Sequence, residues 1–185
     1  MVTPVLLALC MLVLPVALFL AGGVFMMRAT GRARFRQRRR EPASTPLNFR
    51  LRGYDAPAAV AYWHWLGADG RAAELRFLKA DMIFPLWYGG IMLGSLHLGW
   101  SALGNPSPFG IPALPVAITV VADWIENTVH IRQIGRFDQG QPLQDRHLRI
   151  ASLATTTKLL FFWLSTLLIV GLAASLLVVG LRNAP

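Results

Sequence analysis

The sequence predicts an all-α protein, an integral membrane bundle of four transmembrane helices with a short cytoplasmic interfacial helix. Three observations carry that expectation. Of the 185 residues, 55% are hydrophobic and only 15% are charged, too little polar surface for a soluble domain of this length. The mean hydropathy is +0.49, and the apolar residues fall into four runs, each able to supply the ~20 residues that a ~30 Å hydrocarbon core needs. Basic residues crowd the same side of every run.

The first run covers residues 4–27, with Pro15 as a mild kink. Met1-Val2-Thr3 carries no basic residue, and arginines follow the run instead. A signal peptide has the opposite charge order, so this reads as a retained anchor. Its Cys10 is the single cysteine of the chain, so no disulfide and no thiolate metal site can form within it.

Residues 28–80 read as a basic cytoplasmic linker followed by the interfacial helix. Nine arginines run from Arg28 to Arg52, among them the stretch RARFRQRRR. Beside a span, such a run is a topology signal and a contact for anionic lipid headgroups. A nucleic-acid partner is not expected, because no folded module with interleaved aromatics accompanies the charge. In the following YDAPAAVAYWHWLGADGR, Asp55 is the N-cap of a helix, Pro57 lies just inside it and Gly67 ends it. Ala59, Tyr62, Trp63 and Leu66 recur at helical spacing, which suits a helix on the membrane surface or against the bundle. Asp69 is then the N-cap of a second helix that starts near Arg71 and runs unbroken into the second span.

Residues 81–185 form the three-helix transmembrane core. Its spans are 81–102, 111–131 and one within 150–181, the last long enough to tilt or to emerge at its inner end. The connection SALGNPSPFG carries no charge. Arg71, Arg76 and Lys79 precede the second span, and Arg132, Arg136, Arg146 and Arg149 fill the loop 132–149, whereas Arg182 stands alone on the other side. The positive-inside rule then puts both termini outside and both basic segments in the cytoplasm.

Polar residues inside the spans point to a site. An ionisable group near the bilayer centre costs at least ~2.5–3.5 kcal/mol, so such groups face one another or a watery cavity. Asp123, Glu126, Asn127 and His130 are spaced i, i+3, i+4 and i+7 and share one helix face. Asp81, Pro85 and Tyr88 share another, and Thr155 and Lys158 a third. At ~1.5 Å per residue, Asp123 and Glu126 lie about 12 and 8 Å above the inner boundary, and Lys158 reaches a similar level. Pro85 also leaves a backbone carbonyl without its helical donor, which is tolerated when buried in protein or lining a cavity. The candidate polar pocket is therefore Asp81, Tyr88, Asp123, Glu126, Asn127, His130 and Lys158, with Lys158 neutralising the Asp123/Glu126 pair.

Three short motifs stand in order: G-x-x-G-R at Gly67, Gly70 and Arg71, D-x-x-x-P-x-x-Y at Asp81, Pro85 and Tyr88, and D-x-x-E-N at Asp123, Glu126 and Asn127. Across residues 49–158 the chain resembles a family of small four-span bacterial inner-membrane proteins with no assigned function. The resemblance implies the fold, the topology and a bacterial inner-membrane location. It implies no activity.

Three roles follow for the pocket. In a structural or accessory role it fixes how the helices meet, while residues 28–52 recruit a cytoplasmic partner. In an enzyme acting on a lipid or isoprenoid headgroup, Asp81, Asp123, Glu126 and His130 hold a divalent metal and Lys158 takes a phosphate. No other cofactor is expected, and no hydrolase, nucleotide-binding or phosphotransferase motif is present. In transport or small-ligand binding, the acids and the lysine couple proton movement to a solute. Four spans are few for that, so a homodimer is expected, with Gly90/Gly94 and Gly171/Ser175 as close-approach faces. His64 should face headgroups and His147 solvent. His97 lies at the opposite side of the bilayer from His130, so the two cannot ligate one haem.

Overall fold

A computed structural model describes residues 3–36, 45–105 and 110–182. The arginines at 38–40 and most of the uncharged loop's Pro- and Ser-containing middle lie outside the described residues. Within them, every regular element is helical.

Helix α1 (Pro4–Ala29) starts where Thr3 Oγ1 accepts the Leu6 N–H at 3.3 Å, with Pro4 at a position where a missing N–H costs nothing. Pro15 lies inside it without ending it. A four-residue helix α2 (Ala33–Arg36) and a 3-10 turn (Leu47–Phe49) lead to α3 (Ala56–Ala80), capped by Asp55, whose carboxylate accepts the Ala58 N–H at 2.9 Å. Gly67 kinks α3 with φ +64°, a conformation open to glycine at no steric cost. Helices α4 (Phe84–Ala102), α5 (Leu114–Asp138) and α6 (Asp145–Arg182) complete the chain.

Helices α1 and α6 are long and apolar enough to cross a membrane. On that criterion two helices qualify among the described residues, and the expected four are not confirmed. Helix α5 carries a polar face, and the apolar residues of α4 are diluted by glycines, tryptophans and His97. The 38 residues of α6 extend ~57 Å at ~1.5 Å per residue, well beyond one bilayer crossing.

Two apolar cores are stacked along the bundle. One gathers Met26 of α1, Tyr62, Trp63 and Leu78 of α3, Ile134 of α5 and Leu148 of α6. The other gathers Met11 of α1, Tyr88 and Met92 of α4, Val116 of α5 and Ile169 of α6. Helix α6 touches all four other long helices. Gly89 lets α4 approach α5 closely, since a Cβ there would lie 2.8 Å from Val120 Cγ2.

Two local expectations are corrected, the junction of α3 with α4 and the end of α5, and two other placements are refined. Of the two placements expected for the helix around Tyr62 and Trp63, it takes the one against the bundle, with both rings buried in the first core. Helix α3 does not run into α4, because the chain turns at Asp81–Ile83 and Asp81 is the α3 C-cap. Pro85 is the cause: it has no N–H to give the Asp81 carbonyl, so the helical ladder breaks there. Helix α5 continues seven residues past its expected end, since Gln133 and Ile134 extend its buried face. The faces of Gly90/Gly94 and Gly171/Ser175 are exposed, and a Cβ on any of these glycines would meet nothing within 4 Å.

Candidate functional site: a buried polar layer

Between the two cores lies a layer of polar side chains. The 3.6-residue repeat of α5 puts Asp123, Glu126, Asn127, His130 and Gln133 on one face, and all five are buried. From α6, Lys158 Nζ lies 3.0 Å from Asp123 Oδ1 and pairs with Glu126 Oε2 as well. From α4, the Tyr88 hydroxyl donates to Asp123 Oδ2 at 2.9 Å. Asn127 Nδ2 donates to the Asp81 carbonyl at 3.1 Å and to Asp81 Oδ2 at 3.2 Å. The carbonyl that Pro85 leaves without a helical donor is thus taken by an α5 side chain. Next to it, the Met82 carbonyl accepts Trp124 Nε1–H at 2.8 Å.

The arrangement brings six of the seven candidate residues into one hydrogen-bonded set. His130 stands one turn further along α5 and pairs instead with the hydroxyl of Tyr54. Tyr54 is held in place by its own N–H, which donates to Ser152 Oγ at 2.8 Å, while the Thr156 hydroxyl donates to the nearby Leu51 carbonyl at 3.2 Å. Burial, with the Glu126 carboxylate beside it, pushes the Tyr54 hydroxyl well above the ordinary phenol range. It therefore keeps its proton at neutral pH. Nothing local in the sequence marks Tyr54, which arrives from a segment 76 residues before His130.

The acceptors are not all satisfied. Among the described residues, Glu126 Oε1 and Asn127 Oδ1 are buried and accept no hydrogen bond. Among the described residues, Glu126 has Lys158 as its only charged partner, whereas Asp123 is held by Lys158, Tyr88 and Asn127.

A second polar group joins the linker to α3. Arg32 Nε lies 2.7 Å from Glu74 Oε2, and its Nη2 donates to Glu74 Oε1 at 2.9 Å and Asn48 Oδ1 at 3.2 Å. Its guanidinium carbon stands 3.9 Å over the Phe77 ring. Burial alone would lower the Arg32 guanidinium, but the Glu74 carboxylate and the Tyr62 hydroxyl more than offset it and hold it above its usual value. Arg32, expected among the headgroup-facing arginines, is thus buried inside the protein. Glu74 gave a usable signal: it is an acid on the apolar face of α3, between Ala73 and Phe77. One arginine among nine gave none.

The G-x-x-G-R residues have local jobs. Gly67 makes the kink, Gly70 is buried, and Arg71 spans the kink by donating to the Trp63 carbonyl at 3.0 Å and to Asp138 at 2.6 Å. His64 meets the edge of Phe137, and His147 lies 3.5 Å from Gln133 Nε2.

The expected metal ligands are engaged by side chains of the protein itself. Lys158 lies between Asp123 and Glu126, Asn127 occupies Asp81, and Tyr54 occupies His130. Among the described residues, no group of three or more His, Cys, Asp or Glu side chains is placed to hold a metal. An ammonium at the centre of the acids serves where a cation would sit. No protein-family model, curated protein or solved structure matches the chain, so the likeness read from its three motifs rests on its residues alone.

Proposed function

We propose that the protein is a four-span bacterial inner-membrane component with a structural or accessory role, in which the polar layer locks α4, α5 and α6 together. The observation that carries this reading is the closure of the layer. Lys158, Asp123 and Glu126 are 8%, 3% and 0% exposed, and each charge is answered from inside the protein. The charge of Lys158 is already answered by two buried carboxylates, which weighs against its use on a substrate phosphate in a headgroup enzyme. Polar groups of this kind act as glue between membrane helices.

The outward faces support four spans. Helix α5 turns its acids inward and exposes Val121 and Ile125, while α4 exposes Leu86, Trp87 and Leu98. Apolar outside and charged inside is the pattern of a helix in lipid. With four spans, the arginine asymmetry puts both termini outside. The exposed glycines of α4 and α6 suit a homodimer seam.

Transport or small-ligand binding is favoured by one observation, the two unpartnered acceptors on Glu126 and Asn127. One experiment separates the readings. The neutral triple variant Asp123→Asn, Glu126→Gln, Lys158→Met keeps the shape of the layer without its charge. Under the structural reading it stays folded in the membrane and co-purifies with the same proteins as the wild type. A folded triple variant that loses a partner, or fails to restore a deletion strain, would assign the charges an active role.

A further inference from the structure

A cavity of about 250 Å³ lies between α1, α4 and α6, on the outer side of the polar layer. Its walls include Met11, Phe19, Met92 and Ile169, and the Tyr88 ring lies at its inner end. The Tyr88 hydroxyl is turned away to Asp123, so the cavity meets the ring and not the polar group. Val16, Leu20 and Trp163 also line it, and all three are more than half exposed. The cavity therefore opens sideways, on the face that the four-span reading puts in lipid.

We propose that this cavity holds the acyl chain of one bilayer phospholipid. The proposal rests on that four-span reading. Four arguments select the occupant. An empty apolar space is costly, because its lining loses packing partners. Water does not fill it, since apolar cavities of this kind stay dry. A chain does fit. By comparison with the ~150 Å³ cavity that takes benzene, there is room for on the order of ten carbon atoms. Depth agrees, since Leu20 and Val16 lie about 10–16 Å along α1 from Met27, at ~1.5 Å per residue. That level belongs to the tail of a lipid whose headgroup sits at the cytoplasmic boundary, where the arginines are.

The test is native mass spectrometry of the full chain in mild detergent, titrated with phosphatidylglycerol. The wild type should retain one lipid per chain. Thr166→Phe fills the cavity, and denying the chain even two buried methylenes should weaken retention roughly tenfold. Equal retention by the two proteins overturns the proposal. Should Thr166→Phe not fold, quenching by brominated acyl chains serves instead. The Trp163 signal is taken as the difference between wild type and Trp163→Phe, and the Trp87 signal likewise. Trp163 should saturate at a smaller fraction of brominated lipid than Trp87, which is exposed on α4. Equal saturation means surrounding lipid only and overturns the proposal. A wild-type chain recovered without detergent in the soluble fraction would overturn the four-span reading itself, and the source of the lipid with it.

Discussion

Replacing Lys158 by methionine keeps the length of the side chain and removes its charge. Two carboxylates, at 3% and 0% exposure, then face one another in the bundle. Breaking a buried pair from one side costs ~3–5 kcal/mol, because the survivor is left uncompensated. At ~2–4 °C per kcal/mol for a chain of this size, the midpoint of thermal unfolding should fall by roughly 6–20 °C. The two acids do not share that loss equally. Asp123 keeps the hydrogen bonds from Tyr88 and Asn127, whereas Glu126 loses its ion pair. Adding Glu126→Gln should therefore restore ~1–3 kcal/mol, the range of coupling between neighbours, and adding Asp123→Asn should restore less. The assay is thermal unfolding of the single and double variants in detergent, followed by tryptophan fluorescence. Additivity of Lys158→Met and Glu126→Gln to within ~0.5 kcal/mol would refute the pairing. A larger rescue from Asp123→Asn would refute the ranking of the two acids.

Three further outcomes are expected. Arg32→Ala strands the buried Glu74 and should destabilise the protein by ~3–5 kcal/mol, with partial recovery when Glu74→Gln is added; thermal unfolding reads both. Tyr54→Phe leaves His130 Nε2 without its partner and should cost ~1–3 kcal/mol in chemical denaturation, while Tyr54→Ala should cost more through lost packing. A reporter fused at Gln139 should behave as cytoplasmic and one after Pro185 as periplasmic; two cytoplasmic signals would refute the four-span topology.

The polar layer was legible in the sequence because helical spacing is a local property. Asp123, Glu126, Asn127 and His130 announce one face without any knowledge of their neighbours, and the matching depth of Lys158 follows from counting residues. The same stripe could have been carried one turn further to Gln133, whose side chain pairs with Gln144. Tyr54 and Arg32 were not legible. Each meets its partner across long sequence separations, and in the sequence each looks like any tyrosine or arginine of a linker. The break before α4 was misread for a different reason. No glycine or proline lies between Arg71 and Asp81, so the helix looked continuous. The signal lay four residues later, in the N–H that Pro85 cannot donate.

That break has a consequence for how the chain enters a membrane. Two carbonyls in the turn before α4, those of Asp81 and Met82, are satisfied by Asn127 and Trp124 of α5. On the four-span reading, α4 alone would carry both into lipid unsatisfied, at several kcal/mol each. On that reading α4 and α5 would enter together as a hairpin. The hairpin in turn brings in two acids whose counter-charge is synthesised later, on α6. The same reading implies an interval during biogenesis in which the inserted chain is incomplete in charge, closing only when Lys158 has left the ribosome. Chains arrested just before that residue should be extracted from membranes by alkali more readily than chains arrested after α6; equal extraction would contradict this order of assembly.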